Sequence, residues 1–286
     1  MPELAQVLRF EGSPDLRPLF LKAVVNGRFA STSVPDTVAE RVGVPIDLDH
    51  VVDYARVCGF HVGGTLPLTY VHVLAFPLQV ALMARRDFPV PLVGLVHVEN
   101  TIRWTRPVAP TDVLDLRVAA TTMRPHRRGR IVDLVSEVTV AGERVWTGVS
   151  TYLARGTGDA SAPTSEAPDT SALAGLPGGS TWRLPKDTGR RYAAVSGDVN
   201  PIHLHSLSAR ALGFPTAIAH GMFTYAKVIA ALGPKVPQAG ESHVWFKAPV
   251  TLPSTVLLKV SADGQTALVR PAKRDGEHLI VRNTAS

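Results

Sequence analysis

The sequence predicts an α+β fold made of two similar units, each with one long helix packed on an antiparallel sheet. Two observations support this prediction. Three blocks of the chain recur at a nearly constant offset. Each copy also runs from a short polar motif into one long apolar segment, and then into segments with the alternating pattern of half-buried strands. Two such units can join their sheets across a pseudo-twofold axis, which protects edge strands.

The recurring blocks indicate an internal duplication. The matched pairs are YARVCG (54–59) with YAAVSG (192–197), Pro67 with Pro215, and RWTRPVAPTDVLDLRV (103–118) with WFKAPVTLPSTVLLKV (245–260). Their offsets are 138, 148 and 142 residues. Offsets this similar are expected of a repeated unit, and the step from 138 to 148 places ten extra residues in the second copy, between its tyrosine and its proline.

A change of composition divides the chain into two expected domains, residues 1–155 and 181–286. Residues 156–180 between them are rich in Gly, Ala, Ser, Thr and Pro and contain no aromatic residue. Such a segment cannot bury enough apolar surface to fold alone, so we expect a flexible linker.

Each half is expected to supply one long helix and several strands. The helices are predicted over residues 70–84 and 221–232. The first, YVHVLAFPLQVALMA, is shorter than a membrane span and carries polar residues, so we expect it to be buried in the protein. Strands are predicted at 113–124, 131–140, 143–153, 243–248, 255–261, 266–271 and 278–282, with a turn at 141–142.

Charge and cysteine content narrow the expected partners and compartment. The net charge of +6 favours anionic partners. Nucleic acid is not expected, because there is no helix-turn-helix, zinc-finger spacing or aromatic RNA-binding motif; a phosphate-bearing small molecule or an acidic carrier protein fits. Cys58 is the only cysteine, which excludes an intrachain disulfide. With no secretory signal or membrane span in the sequence, we expect a soluble cytoplasmic protein and no membrane partner.

The stretch SGDVNPIHLH at 196–205 concentrates chemically useful side chains and allows three interpretations. As a metal site, His203-Leu-His205 resembles the opening of the cupin motif, but no glutamate follows and the next residues look helical. As a plain turn, Ser-Gly-Asp-Val-Asn-Pro is good turn chemistry. As an acid–base site, Asp198 and His203 can point at one small volume and hold a water between them.

The internal repeat favours the acid–base interpretation. In the first copy, Phe60 stands in the place of Asp198, and the segment of His203 falls in the missing interval. Residues needed only for the fold would be expected in both copies. The second copy also places Gly221, in place of Val73, at the start of its long helix, where backbone N–H groups lack partners and can bind an oxyanion. The alternative role of Gly221 is close helix–sheet packing.

The segment YAAVSGDVNPIHLHSLSARALGFPTAIAHGMF at 192–223 resembles the hydratase motif of the MaoC-like family, which comprises (R)-specific enoyl-CoA hydratases and (3R)-hydroxyacyl-thioester dehydratases. One departure is His205, where many members carry an acidic residue. The resemblance implies a double hot-dog fold, a long helix wrapped by an antiparallel sheet in each repeat, with residues 1–155 as a degenerate copy and 181–286 as the catalytic copy.

The same resemblance implies the reaction. A trans-2-enoyl thioester of coenzyme A or acyl carrier protein would be hydrated reversibly to the (R)-3-hydroxyacyl thioester, a step of fatty-acid metabolism. Asp198 and His203 would be catalytic, Gly221 would stabilise the thioester oxygen, and Asn200 and Ser196 would support the turn. The resemblance leaves open which of the catalytic pair takes the proton from water. No metal or redox cofactor is expected, and a homodimer of such chains is allowed.

The basic turn and the first long helix each allow two interpretations, and two rival functions fit the fold. Arg127 and Arg128 lie in the basic turn RPHRRGR, which either binds phosphate or is a solvated hairpin loop. The helix at 70–84 either walls an acyl tunnel or is plain core packing. The rival functions are a hot-dog thioesterase and a non-catalytic partner subunit of a dehydratase complex.

Overall fold

The computed structural model describes residues 6–25 and 33–286 of the 286-residue chain. The helices are α1 (Leu16–Val25), α2 (Leu48–Cys58), α3 (Tyr70–Met83), α4 (Ser171–Gly175), α5 (Thr188–Ser196), α6 (Pro201–Leu204), α7 (Ser206–Ala211) and α8 (Gly221–Leu232). The strands are β1 (Gln6–Arg9), β2 (Thr37–Val44), β3 (Val96–Trp104), β4 (Leu114–His126), β5 (Gly129–Val140), β6 (Glu143–Arg155), β7 (Ser180–Leu184), β8 (Gly240–Phe246), β9 (Ser254–Val260), β10 (Thr266–Pro271) and β11 (Leu279–Ala285).

The strands of the described residues form a single sheet in the order β1-β2-β4-β5-β6-β3-β8-β11-β10-β9-β7. Its two halves meet at the antiparallel pair β3–β8, where Ile102 lies opposite Ser242. The order of strands is mirrored about this seam, because β2, β4, β5, β6 and β3 correspond to β7, β9, β10, β11 and β8. The joined sheets predicted from the repeat are therefore confirmed, with β1 added in parallel at one edge.

The two long helices lie where the sequence places them. Helix α8 has the predicted bounds, and α3 ends one residue before its predicted end. Helix α3 packs against β2, β4 and β5, and nearly every residue in it is buried. Its buried amide is fully bonded: Gln79 Nε2 donates to Ser136 Oγ and Ser150 Oγ at 3.0 and 3.2 Å, and Tyr152 Oη donates to Gln79 Oε1 at 2.9 Å. No helix among the described residues is long and apolar enough to cross a bilayer.

The matched blocks YARVCG and YAAVSG adopt the same local structure in the two halves. Each ends a helix, α2 or α5, at a glycine in the left-handed region, Gly59 with φ 89° and Gly197 with φ 71°. That conformation favours glycine at a helix end. Cys58 is fully buried before the first of these glycines, and burial raises the pKa of its thiol to about 12. The thiol therefore stays protonated and does not act as a nucleophile.

Several elements were not predicted, and the central strand β3 is the most informative of them. Its sequence, VHVENTIRW, carries charged and polar residues on what becomes an inner strand. The fully buried Asn100 is satisfied at one end of its amide, since its Nδ2 donates to Ser150 Oγ at 2.9 Å, while its Oδ1 has no partner among the described residues. The partner that makes this polar residue tolerable comes from β6, so the pattern of β3 alone does not reveal it.

Residues 156–180 lie against the rest of the protein along part of their length. Gly156 and Asp159 donate backbone hydrogen bonds to the turn between β4 and β5. Leu173 of α4 packs on the outer side of the sheet with Trp245, Leu268 and Ile280. The division of the chain into two domains and a flexible linker stays a prediction.

Candidate active site

The motif at 196–205 forms a tight turn between α5 and α6. The Asp198 N–H donates to Ser196 Oγ at 3.2 Å, and the Asn200 N–H donates to Asp198 Oδ1 at 3.1 Å. Asn200 also caps α6, since its Oδ1 accepts the Ile202 N–H at 3.4 Å, and Pro201 occupies the first helical position. A proline there loses no hydrogen bond that the helix needs. The sequence thus fixes Asp198 before the helix and His203 within it.

One ring nitrogen of His203 is used to hold the ring in place. Its Nδ1 lies 2.9 Å from the backbone oxygen of Ile218, shortly before α8. A carbonyl oxygen only accepts, so Nδ1 carries the proton and Nε2 of the neutral ring has a free lone pair. Burial lowers the pKa of His203, although Asp198 opposes the shift. The imidazole is therefore a neutral acceptor at pH 7.

The Asp198 carboxylate faces the same space. Its side chain is 23% exposed, and burial raises the pKa of the carboxyl, with His203 opposing the shift. A carboxylate oxygen of Asp198 and a ring nitrogen of His203 lie within 4.8 Å of each other. Two hydrogen bonds of about 2.8 Å that meet at a tetrahedral water span about 4.6 Å. The structure therefore brings the pair predicted from the sequence close enough for one bridging water.

His220 completes the polar side of the site. Its ring stacks on His203 with centroids 3.7 Å apart and planes inclined by 27°, and its Nε2 donates to the backbone oxygen of Asp198 at 3.0 Å. This bond ties the turn that carries Asp198 to the residue that caps α8.

Asp198, His203 and His220 also form the one cluster of potential metal ligands found among the described residues. The geometry fits an ion poorly. Imidazole binds a metal through the lone pair in its ring plane, and two stacked rings with planes inclined by only 27° keep their lone pairs in separate planes, so one ion does not lie in both. The second histidine of the cupin-like interpretation, His205, is exposed and does not line the cavity described below.

Gly221 begins α8 beside this cluster, and the structure gives a packing reason for the glycine. A Cβ at this position would lie 2.9–3.2 Å from the ring of Phe246. A Cβ at this distance would force the Phe246 ring to shift, so close packing favours glycine here. The Gly221 N–H nevertheless has no hydrogen-bond partner among residues 6–25 and 33–286, as expected at a helix start, and the residue lines the cavity.

All these groups open into one cavity of about 1370 Å³, counted with its open mouth. Its wall includes Asp198, His203, Gly221, and also Ser196 and Asn200. An apolar section comes from the other half of the chain, with Val73, Phe76 and Met83 of α3 and Leu92 and Leu95 after it. The α3 helix therefore packs in the core and also lines the cavity; its role as the wall of an acyl tunnel stays a prediction.

The basic residues divide into those at the cavity and those away from it. Arg128 lines the cavity, whereas the exposed Arg127 does not. Two further exposed cations line it, Arg155 at the end of β6 and Lys247 after β8. The Arg155 guanidinium lies 5.0 Å from the ring centroid of Phe214. Arg155 and Lys247 were not predicted from the sequence, because only the folded sheet brings these strand ends next to the turn at 196–205.

Comparison with known proteins agrees with the resemblance of the motif. The family described as MaoC like domain matches residues 162–280, which contain Asp198, His203 and Gly221. The 3-hydroxyacyl-thioester dehydratase X of Mycobacterium tuberculosis is 41% identical over 222 residues, covering 76% of this chain and 78% of that protein. This chain belongs to the MaoC-like dehydratase family.

Two solved structures from Mycobacterium tuberculosis share the fold of this MaoC-like chain. The crystal structure of HtdX from Mycobacterium tuberculosis has a TM-score of 0.77 and 37% identity, covering 87% of this chain and all (100%) of that chain. A second protein from that organism, described as having a double hot-dog fold, has a TM-score of 0.52 at 15% identity, covering 84% of this chain and 92% of that one. The double hot-dog fold expected from the resemblance is confirmed.

Proposed function

We propose that this chain catalyses the reversible addition of water to trans-2-enoyl thioesters, giving (R)-3-hydroxyacyl thioesters. The observation that carries the proposal is the convergence of Asp198 and His203, within 4.8 Å, beside the free N–H that begins α8. Membership of the MaoC-like family supports it, since relatives carry the names of dehydratases and hydratases of such thioesters. The reaction makes the chain a hydro-lyase.

The protonation states of the pair explain how water would be activated. The ionised Asp198 carboxylate and the unprotonated Nε2 of His203 are both acceptors. A water between them donates both hydrogens and directs a lone pair at C3 of the enoyl group. One member of the pair takes a proton as the C3–O bond forms, and this proton is returned to C2. Water is thus added in full and the pair is regenerated.

The start of α8 would stabilise the charge that develops on the thioester. As water attacks C3, electron density moves onto the thioester oxygen, which becomes enolate-like. The N–H of Gly221 is free to donate to that oxygen, and the helix start adds a partial positive charge. One such donor is typically worth about 2.7–4 kcal/mol of transition-state stabilisation. Ser196 and Asn200 act through the turn, by holding the backbone and carboxylate of Asp198.

The carrier end of the substrate would meet the basic side of the cavity. Arg128, Arg155 and Lys247 line it and are exposed, so they can reach phosphates of coenzyme A or of a carrier protein. Arg127 does not line the cavity, so its part in binding is limited to long-range attraction. The hydrocarbon end would lie along Val73 and Phe76 of α3.

Purified protein with crotonyl-CoA tests the proposal. We expect loss of the enoyl absorbance, formation of the (R)-3-hydroxy product on a chiral column, and no release of free thiol. Thiol release instead would identify a thioesterase. No turnover by the chain alone on enoyl-CoAs of any length, with activity restored by a second protein, would identify the partner-subunit role. A homodimer and a cytoplasmic location stay predictions, which light scattering and cell fractionation can test.

A further inference from the structure

Of the histidines outside the catalytic pair that line the cavity, two come from the N-terminal half. His72 lies on α3 and His97 on β3, and their ring centroids are 6.0 Å apart. His97 also stacks on Tyr152 at 4.5 Å and lies 5.1 Å from Phe246, the ring that packs against Gly221. We call His72 and His97 the polar patch. The ring of Phe246 lies between the polar patch and the start of α8.

The polar patch carries nitrogen atoms without partners. Among residues 6–25 and 33–286, no hydrogen bond reaches His72 Nδ1 or His97 Nε2, and both atoms are buried. His72 as a whole is 96% buried, since its relative exposure is 4%. Buried polar atoms are nearly always bonded, because an unbonded one destabilises the fold. Unpartnered buried atoms also occur away from this cavity, at Asn100 Oδ1 and Trp146 Nε1, and His220 Nδ1 is a third in the cavity wall. An atom in the cavity wall differs in that a partner from outside the chain can reach it.

Neighbouring polar groups show that the fold can satisfy side chains in this region. Gln79, seven residues after His72 on α3, uses both ends of its amide. His50 uses both ring nitrogens, with Tyr70 Oη at 2.8 Å and the Val195 carbonyl at 2.9 Å. His203 instead anchors one nitrogen and leaves the other for the substrate water. The polar patch resembles His203, and not Gln79 or His50, only in that each ring has a nitrogen without a partner among the described residues.

Charge limits what the polar patch can bind. Burial lowers the pKa of His72 to about 4, and burial together with His72 holds the pKa of His97 well below its usual value. Both rings are neutral at pH 7, so a carboxylate or phosphate gains no charge partner there. The surrounding wall is hydrocarbon, with Val73, Phe76 and Leu95. A neutral donor or acceptor set in an apolar wall matches an uncharged oxygen on an otherwise aliphatic chain.

We propose that His72 and His97 bind an uncharged oxygen substituent of the acyl chain, a hydroxyl or carbonyl beyond C3. The substrate would then be an oxygenated enoyl thioester, preferred over a plain hydrocarbon chain of equal length. This proposal rests on the proposed function for its reaction, but the binding preference does not depend on turnover.

The test compares trans-2-octenoyl-CoA with octenoyl-CoAs that carry one hydroxyl at successive carbons beyond C4. We expect at least one position to raise kcat/KM about tenfold or more, because a polar site left unpaired by the plain chain discriminates against it. The variants His72→Phe and His97→Phe keep an aromatic ring and should reduce that ratio towards one. The same change at His243→Phe, which lies outside the cavity, should leave the ratio as in the wild type.

Binding of saturated octanoyl-CoA and its hydroxylated forms, measured by calorimetry, separates the two proposals. A hydroxyl preference without turnover would overturn the hydration reaction and keep the polar patch. Turnover of octenoyl-CoA with no preference at any position would overturn the polar patch and keep the reaction. A preference that persists in both phenylalanine variants would also overturn it. Thermal unfolding of each variant checks that a change in the ratio comes from a folded protein.

Discussion

Asp198→Asn separates chemistry from structure at the proposed site. The amide has the shape of the carboxylate and can still accept the Asn200 N–H that closes the turn at 3.1 Å. What it loses is the charge and the ability to accept a proton from the water. We expect kcat to fall by about 10²–10⁴, the usual worth of a positioned acid–base group. This equals about 3–5 kcal/mol in the activation barrier.

The same substitution should not destabilise the fold. Burial raises the pKa of Asp198, so its ionised form is disfavoured in the folded state. A carboxyl with a raised folded pKa lowers stability at pH above that pKa and costs nothing below its unfolded pKa. The variant is therefore expected to unfold at an equal or higher temperature at pH 7. Its advantage should shrink as the pH falls through the pKa of the folded carboxyl.

Enoyl-CoA hydration followed by absorbance, with thermal unfolding from pH 4 to pH 8, measures both effects. Asp187→Asn is the matched control, since Asp187 precedes α5, makes no side-chain cap bond and does not line the cavity. It should keep full activity. Activity of Asp198→Asn within tenfold of the wild type would remove this carboxylate from the mechanism. If Asp198→Asn loses activity and also unfolds at a lower temperature than the wild type, the substitution does not separate the chemistry from the stability of the fold.

Three further outcomes follow from the site. Gly221→Ala should lower the free energy of unfolding in urea by about 1–3 kcal/mol, because its Cβ would press on the Phe246 ring. Adding Phe246→Leu should restore much of that loss, and effects of the two substitutions that simply add would refute the clash. Arg155→Ala should raise KM for a CoA thioester by about two- to fivefold while Arg127→Ala does not, and equal effects in steady-state kinetics would refute the assignment. In a pH profile, kcat/KM should begin to fall at a higher pH than it would for a carboxyl of ordinary pKa. The reason is that the pKa of Asp198 is raised, and protonation removes its ability to accept a hydrogen from water.

Local sequence determined the parts of the site that depend on neighbouring residues. Asn200 and Pro201 begin a helix by capping chemistry, so Asp198 and His203 were predictable as a pair. Glycine at 197 ends α5 by the same kind of local rule as glycine at 59 ends α2. Apolar composition located α8 and β10 to the residue, because most of their apolar side chains are buried.

Other features depend on residues far apart in the chain. Gly221 was interpreted as an oxyanion donor or a packing glycine, and the ring of Phe246, which is distant in sequence, shows that packing favours glycine there. The central strand β3 was missed, because two of its polar side chains find partners only on other strands, Asn100 Nδ2 on β6 and Glu99 on β8.

By itself, the sequence determined the duplication, from blocks that recur at a nearly constant offset. It also determined the long helices and the turn that carries the proposed catalytic pair, because these depend on residues close along the chain. Only the tertiary structure decided which cations meet at the cavity and that His72 and His97 join the same wall. Those groups come from the ends of strands and from the other repeat. Their proximity is set by the pairing of β3 with β8, and no local pattern records which strands pair across the seam.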